Sequence, residues 1–248
     1  MTIEPQRVDF IALPVGDLAR ADHFYGETLG LARHPKSGER WVEYETGNLT
    51  LALSTFGGGI AIGVADVDEA RRTLEGAGVE FSGDTFDSGV CNGASFADPA
   101  GNRLLLHHRY APLEPWNPPA TEIERTDFIG IPVRDRAEAV KFYGDVLGLA
   151  RNPLSSDEWP EFEAGNVAIL LNTPEQTGDA FKPSNFAPSL RVPDVARAMG
   201  GLKAKGVEFR FPEAYDSSVC HMAFFTDADG NALILHHRYA PYRDGSTP

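Results

Sequence analysis

Leu104–Pro112 reads LLLHHRYAP and Leu233–Pro241 reads LILHHRYAP, each copy following a Gly-Asn turn at Gly101-Asn102 or Gly230-Asn231. An apolar run that leaves such a turn and ends in two histidines, an arginine and a tyrosine predicts a buried strand emerging at a polar rim. Side chains alternate along a strand, so Leu105, His107 and Arg109 share one face and Leu104, Leu106 and His108 share the other.

The repetition extends outward from this strand over almost the whole chain. Arg125 matches Arg7, Asp127 matches Asp9, Phe128 matches Phe10, Tyr143 matches Tyr25, Trp159 matches Trp41 and Asn166 matches Asn48, all offset by 118. The offset becomes 128 at Asp66 and Asp194, then 129 at Cys91 and Cys220, which places a ten-residue insertion within 171–187 of the second copy. A repeat of this length is a duplicated domain rather than a solenoid unit. The stretch APLEPWNPPATE (111–122) carries four prolines and predicts a stiff connector without regular structure. The expected organisation is a first domain over 1–113, a linker over 114–121 and a second domain over 122–248, with RDGSTP (243–248) as a frayed end.

Each copy reads as two successive strand-helix-strands units. VDFIALPV (8–15) is a strand, and Asp17 is placed to cap a helix with Leu18, Ala21, Tyr25 and Leu29 on one face, ended by Gly30. WVEYETGNLTLALS (41–54) reads as two strands joined at Gly47-Asn48. Asp66, with Glu69 three residues on, caps a second helix that ends near Gly76-Ala77-Gly78.

Composition narrows the function classes. Thirty-six acidic residues against 22 Lys and Arg give a formal net charge of -14, which repels phosphate backbones and excludes nucleic-acid and anionic-membrane partners. No apolar run is long enough for a transmembrane span, and MTIEPQRVDF lacks the pattern of a secretory signal. Two cysteines cannot build a disulfide framework, and a pair of reduced thiols fits a cytoplasmic protein.

Four motifs carry a resemblance, in chain order FYGETLGL within the pattern from Pro14 to Leu31, the turn DPAGN, the counterpart FYGDVLGL and the turn DADGN, together with a second strand running into the helix capped at Asp66. Together they resemble the vicinal oxygen chelate superfamily, the group containing glyoxalase I, extradiol dioxygenases, fosfomycin resistance transferases and bleomycin resistance proteins. The resemblance covers nearly the whole chain, twice. It implies an α+β fold of tandem glyoxalase-like domains, built from four βαβββ units that form two curled-sheet cups. It also implies a monomer with internally paired domains, the fused equivalent of a homodimer.

In the enzymes of that superfamily a metal is held from the first strand, the first strand of the second unit and the last strand. Here those positions are Phe10, Gly59 and Leu105 in the first copy and Phe128, Ala187 and Ile234 in the second. None offers the imidazole, carboxylate or thiolate that such a site needs. The expectation is therefore the family fold with no metal and no other cofactor, and a cup that takes a small hydrophobic or aromatic molecule.

His107 and His236 lie two residues beyond the vacated Leu105 and Ile234, on the same strand face, and are the candidate catalytic groups. The plain alternative is a rim histidine bonded to a neighbouring strand. Glu43 and Glu161 follow Trp41 and Trp159 by two residues, so each pair shares a strand face: cup-facing, it adds an aromatic wall and a carboxylate; outward-facing, Tyr44 and Phe162 are the core residues instead. Cys91 and Cys220 read as buried structural thiols, since no local base is visible except His221 beside Cys220. Two function classes remain: a sequestering protein of the resistance kind, or an enzyme (lyase, isomerase or oxygenase) using His107 or His236, or a metal held at relocated ligands.

Overall fold

The structure, a computed structural model, describes residues 2–112 and 114–241; the RDGSTP end lies outside them. In the first repeat β1 (Arg7–Pro14) leads into α1 (Leu18–His23) and a π-helical turn (Phe24–Thr28), followed by β2 (Ala32–Arg33), β3 (Trp41–Glu45) and β4 (Thr50–Ser54). The pattern continues as β5 (Gly59–Gly63), α2 (Val67–Gly76), β6 (Phe86–Asp87), β7 (Cys91–Ala97) and β8 (Arg103–Arg109). Residues 114–121 carry no helix or strand. The second repeat gives β9 (Arg125–Pro132), α3 (Arg136–Lys141), a π turn (Phe142–Val146), β10 (Ala150–Arg151), β11 (Glu161–Glu163) and β12 (Ala168–Asn172). A four-residue α4 (Pro174–Thr177) fills part of the inserted loop, then β13 (Ala187–Arg191), α5 (Val195–Ala204), β14 (Tyr215–Asp216), β15 (Cys220–Thr226) and β16 (Ala232–Arg238) complete the chain.

The strands form two eight-stranded curled sheets, ordered β2, β3, β4, β1, β5, β8, β7, β6 and β10, β11, β12, β9, β13, β16, β15, β14. This is the expected α+β class. The contacts β5 to β8 and β13 to β16 are parallel, and each is bridged by one of the longer helices, α2 or α5. Asp17, Asp66, Asp135 and Asp194 all cap as their spacing predicts, each carboxylate accepting the N–H three residues on. The first helix of each repeat departs from a plain α-helix. Leu29 donates to Phe24 and Leu147 to Phe142, both at 2.9 Å, an i to i−5 pattern. Gly26 and Gly144 sit inside these wider turns, where a Cβ would come within 3.4 Å of the Tyr44 hydroxyl and 3.3 Å of the Phe162 ring. Ring packing against a bare backbone is what the sequence periodicity did not show.

Two compact units emerge, and each draws on both repeats: one gathers the residues up to Ala12 with Gly58–Asn117 and Gly130–Asn185, the other Leu13–Gly57, Pro118–Ile129 and the residues from Phe186 onward. In the first unit the DPAGN turn is closed by Asp98, whose Oδ1 accepts from Ala100 and Asn102 N–H while Asn102 Nδ2 donates to Oδ2 at 2.7 Å. Two groups of the second repeat complete it: Tyr143 donates its hydroxyl to Asp98 at 3.0 Å, and Pro132 O accepts from Asn102 Nδ2 at 2.7 Å. In the second unit Asp227 and Asn231 of DADGN are joined in the same way by Tyr25 and Pro14 O, both at 2.9 Å. Burial, then the neighbouring carboxylate, drives both tyrosine pKa values well up, so the hydroxyls remain donors. The two most recognisable motifs of the sequence are thus the two ends of one buried network.

The Gly-Asn turns form a second link of this kind. Asn166 Oδ1 accepts from Val8 N–H and Asn166 Nδ2 donates to Val8 O, both at 2.9 Å, and Asn48 does the same to Thr126 at 2.8 and 2.9 Å. Glycine precedes each asparagine for a steric reason: a Cβ at Gly165 would lie 2.3 Å from Gln6 O, and one at Gly47 2.2 Å from Glu124 O.

Candidate functional site

The site is set by a single irregularity in β1. Its antiparallel register with β5 slips between Val8 and Phe10, leaving Asp9 as an extra residue. A one-residue slip turns side chains to the other face, so Asp9 and Phe10 both reach His107 of β8. Asp9 Oδ2 lies 2.7 Å from His107 Nδ1, and the Phe10 ring stands edge-on to the imidazole at 5.3 Å between centroids. Gly63 completes the arrangement by omission, because a Cβ there would sit 2.9 Å from the Asp9 carboxylate. Leu105 is half-buried and opposite Ala61, which pairs with Phe10.

The second unit repeats this constellation and adds to it. Asp127 Oδ2 is 2.6 Å from His236 Nδ1, and Phe128 is edge-on to His236 at 5.4 Å. Arg191 stands where the first repeat has Gly63, and its Nε donates to both Asp127 oxygens at 2.9 and 3.0 Å. Burial pushes the Asp127 carboxyl up, but hydrogen bonds from His236 and Arg191 outweigh it and leave its pKa below the ordinary value. For His236, burial opposes the charge, yet hydrogen bonds with Asp127 and then Cys220 win, and the imidazole is pushed up to about 9. Nδ1 is the imidazole nitrogen that meets Asp127, and Cys220 is the diagonal cross-strand neighbour of His236. Burial raises Cys220, whereas its bonds with His236 and Ser217 lower it, and the net direction is down.

The register places further groups on this face. Met222 is opposite His236, Phe224 opposite Ile234 and Cys220 opposite Arg238, while Ser189 and Arg191 of β13 align with Ile234 and His236. Ser189 is fully buried and its Oγ has no hydrogen-bond partner, a hydroxyl at the edge of the Ile234 position where the first repeat has Ala61. His108 and His237 turn the other way and bond to Val64 O and Val192 O at 3.0 and 3.1 Å, as expected of structural histidines.

The other candidates are less symmetric than the sequence suggests. Trp41 and Glu43 are half-buried on β3 and bond to each other, Nε1 to Oε1 at 2.7 Å, while Tyr44 is buried on the opposite face. Trp159 does not share a strand with Glu161: Pro160 intervenes, β11 starts only at Glu161, and Trp159 is 39% exposed. It lines an open surface depression with Arg134, Glu158 and Glu175, whereas Glu161 accepts from Asn152 Nδ2 at 3.1 Å. Sequence reasoning also passed over Asp9 and Asp127 and gave Cys220 a structural role. The available signal was that Asp, Phe, Cys and His all recur at matching places in both copies.

The metal positions of the resemblance do not suit a metal. Gly59 has no side chain, and a Cβ there would meet Arg103 O at 3.3 Å; Phe10, Leu105, Phe128, Ala187 and Ile234 carry only carbon. The neighbouring donors are committed elsewhere: Asp9 to His107, and Asp127 to both His236 and Arg191. Among the described residues no three His, Cys, Asp or Glu side chains are grouped to hold an ion.

Comparison with known proteins agrees with the fold. A search of the curated proteins finds no significant match. Among solved structures, the Mn(II)-bound glyoxalase from Novosphingobium aromaticivorans superposes with a TM-score of 0.70 at 16% identity, over 94% of this chain and 82% of that one. A variant of homoprotocatechuate 2,3-dioxygenase from B. fuscum gives 0.69 at 17% identity, over 100% and 75%. The 2,3-dioxygenase LapB from Pseudomonas sp. KL28 gives 0.65 at 15%, over 100% and 97%. The model of the Glyoxalase/Bleomycin resistance protein/Dioxygenase superfamily matches residues 7–106 and again 125–235. With both repeats matched in full sequence order, the chain belongs to the glyoxalase, bleomycin resistance protein and dioxygenase superfamily.

Proposed function

We propose that the protein binds a small hydrophobic or aromatic molecule on the faces carrying Phe10 with Leu105 and Phe128 with Ile234, without the divalent metal of its superfamily, and holds it rather than transforming it. The observation that carries this reading is that a phenyl ring stands at the first-strand metal position of both repeats, edge-on to a histidine already committed to an aspartate. Such a surface favours a flat apolar guest with one polar group. The unpartnered Ser189 hydroxyl supplies a further polar contact in the second repeat. The partner is thus a small molecule, the paired repeats stand in for a homodimer, and two free cysteines suit a reducing compartment such as the cytoplasm. No helix among the described residues is long and apolar enough to cross a membrane.

A second reading, an enzyme without a metal, is favoured by one observation in the second repeat alone. His236 with a pKa of about 9 is a cation at neutral pH, so it would serve as a proton donor rather than a base. Calorimetric titration with indole and 2-naphthol separates the readings. Holding predicts saturable binding that Phe128→Ala weakens, with the probe recovered unchanged. Chemical conversion of a bound probe that stops in His236→Gln supports the enzyme instead.

A further inference from the structure

We propose that Cys220, His236 and Asp127 form a nucleophile, a proton donor and an orienting carboxylate that add soft carbon electrophiles, such as α,β-unsaturated carbonyl compounds, to the thiol sulfur. The inference goes beyond ligand holding and does not depend on it. It rests on three side chains from three strands, β15, β16 and β9: Cys220, opposite Arg238, is the diagonal cross-strand neighbour of His236, opposite Met222, and His236 is bonded to Asp127. Asp127 Oδ2 lies 2.6 Å from His236 Nδ1, which fixes the ring and leaves Nε2 as the nitrogen not bonded to the carboxylate. Arg191 holds the carboxylate through both oxygens, and only 9% of the Asp127 side chain is exposed, so solvent does little to weaken its hold on the imidazolium. Cys220 is half-buried rather than sealed, and Ser217 Oγ lies 3.2 Å from its sulfur.

The first repeat has the same residue types without the same assembly. Gly63 replaces Arg191, Asp9 is more exposed at 25%, and its arginine contact is Arg7 at 3.4 Å. Gly93 replaces Met222, and the Phe86 ring lies so close that a Cβ at Gly93 would be 2.8 Å from it. The duplication has therefore kept the cysteine in both halves and built the full arrangement around only one.

The step balances without an oxidant or reductant. The Cys220 sulfur attacks the β-carbon and forms a C–S bond while the C=C electron pair moves toward the carbonyl. The resulting enolate takes the proton from His236 Nε2, giving one thioether and a neutral imidazole. The charged groups around the pair are Arg238 on β16, opposite Cys220; Asp127, contacted by Arg191 and by Arg125 at 3.5 Å; and Asp216 on β14, which accepts from the Tyr239 hydroxyl. Helix α5, packed on β15 and β16, buries only Val195, Ala198, Met199 and Leu202. Cys220 is thus more readily deprotonated than an ordinary thiol, and His236 keeps its proton up to about pH 9.

N-ethylmaleimide, itself an α,β-unsaturated carbonyl compound, tests this on the full chain, with labelling at each cysteine followed by peptide mass spectrometry from pH 5 to 8. At pH 6 native Cys220 should react at least roughly fivefold faster than the same cysteine in the urea-unfolded chain, allowing for the lower nucleophilicity of a stabilised thiolate. The advantage should vanish in folded His236→Gln and shrink in Asp127→Asn. His107→Gln should leave it unchanged. A native Cys220 that reacts no faster than the unfolded one at pH 6 overturns the proposal in the parent protein alone, whatever the variants do. So does a fast reaction that survives His236→Gln.

Discussion

Replacing His236 by glutamine should cost stability in a way that depends on pH with a defined sign. His236 is held charged by Asp127 and Cys220, with its pKa moved from 6.5 to about 9. A histidine raised this far contributes about 3 kcal/mol of preference for the folded state. That contribution is fully present below the unfolded value of 6.5 and is lost as pH rises through about 9. Asp127 has the opposite sign: its lowered carboxyl contributes above the unfolded carboxylate value and fails only as pH falls through the lowered folded one, so the pair is intact from about pH 5 to 6.5. Glutamine keeps one hydrogen bond to Asp127 but no charge. Taking about 2 to 4 °C per kcal/mol for a chain of this size, the variant should melt roughly 6 to 12 °C below the parent at pH 6. The gap should narrow to about that of one hydrogen bond by pH 10. Differential scanning calorimetry of both proteins across pH 5 to 10 reads this directly. A gap that stays constant through pH 9, or widens with alkali, would refute the charged-pair reading of His236.

Other predictions follow from the links between repeats. Asn166→Ala removes both hydrogen bonds to Val8 and should destabilise by about 2 to 3 kcal/mol in urea unfolding, as should Asn48→Ala at Thr126; less than about 0.5 kcal/mol would mean that water replaces the amide at no cost. Gly30 and Gly165 both have positive φ, but Gly30 has open space where Gly165 faces Gln6 O, so Gly30→Ala should cost about 1 to 2 kcal/mol and Gly165→Ala clearly more; equal costs would contradict the close approach. A fragment of residues 1–113 loses Tyr143, Pro132 O and Asn166 from its buried groups and should aggregate or self-associate, whereas a monomer with a cooperative melt would show the repeats to be independent.

The parts of the fold legible in the sequence were those fixed by local chemistry. Asp17, Asp66, Asp135 and Asp194 cap helices because a short carboxylate before an apolar periodic run has one nearby use. The duplicated motifs gave the family. Strand alternation also separates His107 and His236, which meet Phe10 and Phe128, from His108 and His237, which turn the other way. What stayed hidden depends on contacts between distant segments. The bulge at Asp9 changes which face that side chain serves, and nothing in VDFIALP marks it. Arg191 and Gly63 occupy equivalent places, yet only the folded register shows that the arginine clamps Asp127. Trp159 looked equivalent to Trp41 by position alone, but the proline after it leaves it outside the strand, which begins only at Glu161.

The central claim, binding on an apolar face where the superfamily holds a metal, is most directly tested by one titration. The chain, purified without added metal, would be analysed for Mn, Fe, Zn and Ni and then titrated with indole and 2-naphthol before and after EDTA. The account predicts far less than one metal per repeat, and affinities that are the same in both titrations and fall in Phe128→Ala or Phe10→Ala. About one tightly held metal per repeat, with binding that disappears in EDTA, would contradict it.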